Sequence, residues 1–187
     1  MLRTKKILVP ALLMGSALAW TVNWQASANA QIAANIGRSL AVVLQGTAEG
    51  EFRMIGGVEM ECFDVDLVDA ASGRIIGRAT ECLDLNSIVP DPSGGAGFSI
   101  SATQFFHLPG GMINTSMRAT VQPVLEGSSG ITHITGSIGD GMNIVAGTGR
   151  YQDAQGTARL NGALDLSRLS EDIVTFDCVF RIDLSDE

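Results

Sequence analysis

Apolar and polar residues alternate in short runs along much of the chain. Near the C-terminus Val174, Phe176, Cys178, Phe180 and Ile182 take every second position, with Thr175, Asp177, Arg181 and Asp183 between them. Just upstream, Ala158, Leu160, Gly162, Leu164 and Leu166 oppose Thr157, Arg159, Asn161 and Asp165. A period of two marks antiparallel strands with one buried and one wet face. The same pattern, punctuated by glycine and small polar residues, predicts strands at 39–46, 51–55, 58–69, 74–85, 97–106, 113–125, 131–138, 157–166 and 173–184. No stretch has the period of a helix of convincing length. The clusters at 90–95 and 126–130 are loops rather than domain linkers. A meander of eight or nine strands must protect its edges, and closure does so most completely. The predicted fold class is all-β, an eight-stranded antiparallel closed β-barrel.

One hairpin can be read in register. Strand 58–69 is followed by Ala70-Ala71-Ser72-Gly73 and then by strand 74–85. A three-residue loop at 71–73, with Gly73 in the left-handed conformation, sets Ala70 opposite Arg74. Paired residue numbers then sum to 144, and Cys62 faces Cys82. Phe63, Val65, Leu67, Ile75, Ala79, Leu83 and Leu85 share one mostly apolar face. Asp64, Asp66, Arg78 and Thr80 share the other with both cysteines, and Asp66 opposite Arg78 makes an expected ion pair. A slip of one residue would exchange the faces, so pattern and pairing support each other. The prediction is a Cys62–Cys82 disulfide. Cys178 is left over as a buried, inert thiol within the last strand.

The first 30 residues break from this pattern. A basic start (Arg3, Lys5, Lys6), an apolar run over residues 7–20 and Ala28-Asn29-Ala30 before Gln31 make an export signal cleaved after Ala30. The apolar run is shorter than the roughly 20 residues that span a bilayer, and nothing later approaches that length. The 187-residue chain is thus expected to be a signal peptide, 1–30, and a single barrel domain, 31–187, exported to the periplasm or secreted. Such a compartment lets a disulfide persist. Beyond the leader nine basic residues, all arginine, stand against 20 acidic ones, and 9 − 20 gives a formal charge of −11. That acidity disfavours nucleic acid and anionic lipid surfaces as partners.

The strongest local motif spans 144–158. Gly147-Thr148-Gly149 is followed by Tyr151, Ala154, Gly156 and an alternating strand. With no Gly-Lys-Ser/Thr continuation, no third glycine at dinucleotide spacing and no long helix after it, it is not a phosphate loop. The residues alone read as a tight strand connection with Tyr151 packed over the turn.

Over 131–184 this pattern resembles the signature of the allene oxide cyclase and dirigent-type barrels. The resemblance implies an eight-stranded antiparallel barrel, commonly a homotrimer, that binds a small hydrophobic molecule without metal or organic cofactor. The residue before the final glycine of the motif, an arginine in dirigent members, is Gln155 here. The dirigent aspartate before the Gly-Thr-Gly turn corresponds to Asp140, which makes Asp140 a catalytic candidate, although Gly139 and Gly141 beside it equally fit a turn. Allene oxide cyclase carries a glutamate and an asparagine on its first strand, where 39–46 offers only Gln45.

Other polar residues complete the candidate set. Glu59 and Glu61 fall on the otherwise apolar face of their strand. They form either a pair of carboxyls poised for proton transfer at a barrel mouth or a strand end emerging into solvent. Glu61 joins Asp140 as a catalytic candidate; Glu59, Tyr151 and His133 are candidate ligand contacts. His133 shares a strand face with Thr135 and Ser137, either a polar strip in a cavity or a face toward water. His107 and His133 lack metal-ligand spacing, so no metal site is expected. No nucleophile elbow appears. The expected function is ligand binding inside the barrel, with cofactor-free isomerisation or cyclisation if the protein is catalytic. The competing class is a non-catalytic lipocalin-like carrier or a trimeric structural envelope protein.

Overall fold

The computed structural model describes residues 39–91, 94–124, 130–137 and 142–185. The predicted leader and Asp140 lie outside the described residues. Nine strands follow one another: β1 (Ser39–Ile55), β2 (Val58–Asp69), β3 (Ile75–Pro90), β4 (Phe98–Leu108), β5 (Gly111–Pro123), β6 (Ile131–Ser137), β7 (Ile144–Gly149), β8 (Gly156–Asp165) and β9 (Ile173–Leu184), with a 3₁₀ turn at Leu169–Glu171. Every pairing is antiparallel. The order β4-β3-β2-β1-β9-β8-β6-β5 closes on itself through β4–β5, giving the eight-stranded barrel, and β7 is an outer ninth strand. One edge of β5 is shared: Gly111–Thr115 pair with β7 and Arg118–Pro123 with β6. Among the described residues no helix is long and apolar enough to cross a membrane.

Alternation places the core as the sequence predicts. Val174, Phe176, Cys178, Phe180 and Ile182 of β9 and Ala158, Leu160 and Leu164 of β8 are buried. One end of the barrel is plugged by Phe106 against Phe180, ring centroids 4.9 Å apart, with Ile113 and Ile182 fully buried beside them. Such an edge-on contact adds to the area that the rings bury.

The disulfide joins Cys62 and Cys82, directly paired as predicted, with S–S 2.05 Å. Both sulfurs lie on the outer wall, covered by Met60, Ile55 and Phe105. The register comes about differently from the prediction. Asp69 N–H donates to Arg74 O, so the loop has four residues, 70–73, with Gly73 left-handed at φ 67°. A bulge on β3, with Ile76 the extra residue between Ile75 and Gly77 and opposite Leu67 and Val68, restores the expected pairing from Leu67↔Gly77 onward. The bulge turns Ile75 outward, where it is 65 % exposed rather than on the apolar face. Nor do Asp66 and Arg78 form an ion pair, although they are cross-strand partners. Exposed charges gain little from pairing. The neighbouring Asp64 instead accepts from Arg53 at 2.8 Å and from the Thr80 hydroxyl at 2.6 Å.

Two further elements differ from the sequence expectation. Predicted strands 39–46 and 51–55 are one strand, β1. Its ladder to β9 is unbroken from Ser39 to Glu49, so the register shift at Gln45–Gly50 on the β2 side bends the chain without ending the strand. Residues 144–149, read as part of a turn, are strand β7. A Cβ at Gly147 would collide with the carbonyl oxygen of Tyr151, and this close approach lets the chain fold back after Gly149. Asn143, just before β7, is fully buried. Its amide donates to Ala158 O at 2.9 Å and accepts from Ala158 N–H at 2.6 Å, standing in for a strand neighbour that β8 lacks there.

Candidate functional site

Opposite the plugged end the barrel holds a cavity of about 110 Å³. That is the size range of cavities that accept one ring, on the order of 150 Å³ for a benzene-binding cavity. Its walls are apolar, from Phe63, Phe98, Ile134, Leu164, Val174 and Phe176 among others. Leu85, Ile88 and Leu169 form part of the rim and are 39, 46 and 45 % exposed. Beyond them the β1–β2 hairpin runs on past the start of the β2–β3 ladder at Glu61. Phe52 and Met54 are paired with Glu61 and Glu59, so they lie on the hairpin face that Glu61 shares, and both are exposed.

Two carboxyls interrupt the apolar lining, Glu81 and Glu61. Glu81 is an inward residue of β3, between Ala79 and Leu83. It belongs to a row across three strands, because Glu81 pairs with Gln104 of β4 and Gln104 with Thr115 of β5. All three are buried. The Thr115 hydroxyl donates to Gln104 Oε1 at 2.6 Å, and Gln104 Nε2 donates to Glu81 Oε1 at 2.9 Å. The Thr115 contact fixes the amide so that its N–H points at the carboxyl. Among the described residues Glu81 Oε2 has no hydrogen-bond partner. Burial pushes the Glu81 carboxyl up to about 8, with the Gln104 bond opposing only in part. At neutral pH it is mostly protonated, an O–H donor beside an apolar space.

Glu61 lies one step along the same inner face. In the ladder Glu61 pairs with Leu83 and Phe63 with Glu81, so the two glutamates are diagonal cross-strand neighbours. Such pairs have Cβ atoms on the order of 7 Å apart. Gly50 of β1 leaves room for the Glu61 carboxyl: a Cβ there would lie 2.5 Å from Oε1. Burial raises the Glu61 carboxyl above its usual range, and the negative charge of Asp172 adds to the shift. Asp172 sits at the end of the 3₁₀ turn, and its carbonyl accepts from Gly50 N–H at 2.7 Å.

The remaining candidates are dispersed. Glu59 is exposed, one residue pair outward from Glu61. His133 is exposed on the outer wall with Nε2 3.5 Å from Asn161 Oδ1, and Thr135 and Ser137 face the same way. Tyr151 is buried under the β7–β8 turn with the Arg150 guanidinium 5.7 Å from its ring centroid, and it does not line the cavity. Gln45 and Gln155 are exposed. Cys178 lines the cavity, but burial and the nearby Glu81 push its thiol to about 12, so it carries almost no thiolate. Among the described residues no cluster of three or more metal-ligating side chains occurs.

Sequence reasoning missed Glu81, Gln104 and Thr115. The signal was present for Glu81, since the register that pairs Cys62 with Cys82 also sets Glu81 opposite Phe63 on the apolar face. Compared with known protein families, the chain matches none, and a search of curated proteins finds no match.

Proposed function

We propose that this chain is an exported barrel of the allene oxide cyclase and dirigent type that binds a small hydrophobic molecule, and that it acts on it as a cofactor-free isomerase or cyclase. The observation that carries this reading is a buried carboxyl, Glu81, one of whose oxygens has no hydrogen-bond partner among the described residues, in the wall of a mostly apolar cavity. An apolar pocket with a few convergent polar groups and a perturbed carboxyl is the usual form of a small-molecule site. A solidly packed structural barrel has no reason to retain an unpaired carboxyl oxygen, whose burial costs free energy. The disulfide supports export, because such bridges persist in oxidising compartments. The enclosed volume limits the buried part of the ligand to about one ring or a short alkyl run. The exposed apolar rim and hairpin offer surface for the rest.

The neutral naphthylamine dye N-phenyl-1-naphthylamine provides a test. It should bind one per chain with a saturable rise in fluorescence. Val174→Trp, which fills the cavity from β9, should weaken binding at least tenfold while the chain still folds. Saturable binding unaffected by that substitution would place the ligand site elsewhere on the molecule.

A further inference from the structure

Two carboxyls one ladder step apart, facing the same apolar space from adjacent strands, suit a chemistry more specific than binding. Glu81 is a buried carboxyl whose second oxygen has no partner among the described residues. Glu61 receives no hydrogen bond among the described residues, and its carboxyl rests against Gly50. Of the charged groups around them, Asp172 is the carboxylate that bears on Glu61, and the Cys178 thiol is the group beside Glu81. Among the described residues no cation lines the cavity beside either glutamate. An anionic headgroup would meet the charges of Glu61 and Asp172, which disfavours a fatty acid with its carboxylate inward. A neutral oxygen that accepts a hydrogen bond satisfies Glu81.

We propose that the cavity takes a neutral unsaturated ketone with its carbonyl on Glu81, and that Glu61 and Glu81 together shift its double bond. This rests on the ligand-binding reading above and deepens it. In the first step the Glu61 carboxylate takes a proton from the carbon between the carbonyl and the double bond. The C–H pair becomes a new C=C bond, and the carbonyl π pair moves to oxygen, where the Glu81 O–H stabilises the developing charge. In the second step Glu61 returns that proton to the far carbon of the dienolate and the carbonyl re-forms. The proton is conserved, nothing is oxidised or reduced, and no co-reactant is needed. One ionised carboxylate as base with a neutral carboxylic acid as donor is an arrangement that apolar sites can maintain at neutral pH. Gly50 is a positioning residue, because it vacates the volume that the Glu61 carboxyl occupies.

The probe is cyclohex-3-en-1-one, a single neutral ring that fits the enclosed volume, followed by ultraviolet absorbance as it becomes the conjugated 2-enone and by NMR in D₂O, where return of the abstracted proton by Glu61 should keep deuterium at the far carbon lower than in the buffer reaction. Wild type should accelerate conversion by roughly 10²- to 10⁴-fold over buffer, the range of positioned acid–base groups. Glu61→Gln should lose most of that acceleration while still binding the ring. Glu81→Leu should lose both acceleration and affinity. Gly50→Ala, which keeps both carboxyls but displaces one, should lower conversion at least tenfold without changing its product. Conversion by Glu61→Gln as fast as by wild type, or wild-type conversion no faster than buffer while the ring binds, overturns the isomerase inference and leaves the binding reading intact. Failure of both the ring and the naphthylamine dye to bind overturns the binding reading itself.

Discussion

Glu81→Gln should remove most of the fall in stability that wild type shows between pH 5 and 8, a fall on the order of 4 kcal/mol, with the raised Glu61 carboxyl leaving a smaller remainder. In the fold Glu81 holds its proton up to about pH 8, because ionising it would leave a charge in an apolar wall with one amide donor. In the unfolded chain the same carboxyl ionises near the ordinary glutamate value of 4.5. Between these values unfolding releases a proton. Stability therefore falls as pH rises, by up to about 1.4 kcal/mol per unit, is fullest below the unfolded pKa and levels off above the folded one. Carboxyls with lowered values, such as Asp64 beside Arg53, act in the opposite sense and at more acid pH, outside this window. A glutamine keeps the size and an acceptor for Gln104 Nε2 but has no proton to lose. Urea unfolding at pH 5, 6.5 and 8 checks this. A wild type whose stability does not fall across that window would show Glu81 ionised in the folded state.

Replacing Cys62 and Cys82 together by alanine should destabilise the domain by about 3 kcal/mol, the loop-closure value for a bridge spanning 20 residues. Domains of this size are stable by roughly 5–15 kcal/mol, so the loss is a large share of the total. It corresponds to a melting temperature lower by roughly 10 °C. The bridge ties the two arms of the β2–β3 hairpin on the outer wall, and those arms carry Glu61 and Glu81 on the inner wall. Calorimetry of the double variant, and of wild type with and without reductant, measures the effect. Equal melting temperatures with and without the bridge would contradict it.

The barrel was legible because period-two alternation is strong in β8 and β9, and because one hairpin carried a redundant signal. The faces of Phe63, Val65 and Leu67 and the pairing of Cys62 with Cys82 each required the same register. What escaped was set by irregularities that the pattern does not encode. The loop at 70–73 is one residue longer than expected, and the bulge beside Ile75 cancels the difference; the pairing of 61–67 is unaltered and only Ile75 changes face. Strand β7 was hidden because four of its six residues, Ala146-Gly147-Thr148-Gly149, are small and look like a turn until β5 supplies a partner. The site was half legible. Glu61 stood out as a carboxylate at an apolar position, but the structure sets it beside Glu81 rather than beside Glu59. Glu81 was passed over among apolar neighbours, and its partners Gln104 and Thr115 meet it only through the β3–β4 and β4–β5 ladders, which no local spacing reveals. His133 and Tyr151 show the converse, since a polar residue on a strand or at a turn does not declare which side of the wall it faces.

The central claim is that a neutral apolar molecule occupies the cavity against Glu81, and mass spectrometry of what leaves the protein tests it most directly. Protein purified from cells that express it naturally, then denatured and extracted, should release one neutral, oxygen-bearing apolar compound in near-stoichiometric amount, absent from the same preparation of Val174→Trp. Extracts of wild type indistinguishable from those of Val174→Trp, or a bound carboxylic acid lost on Val174→Trp substitution, would contradict it.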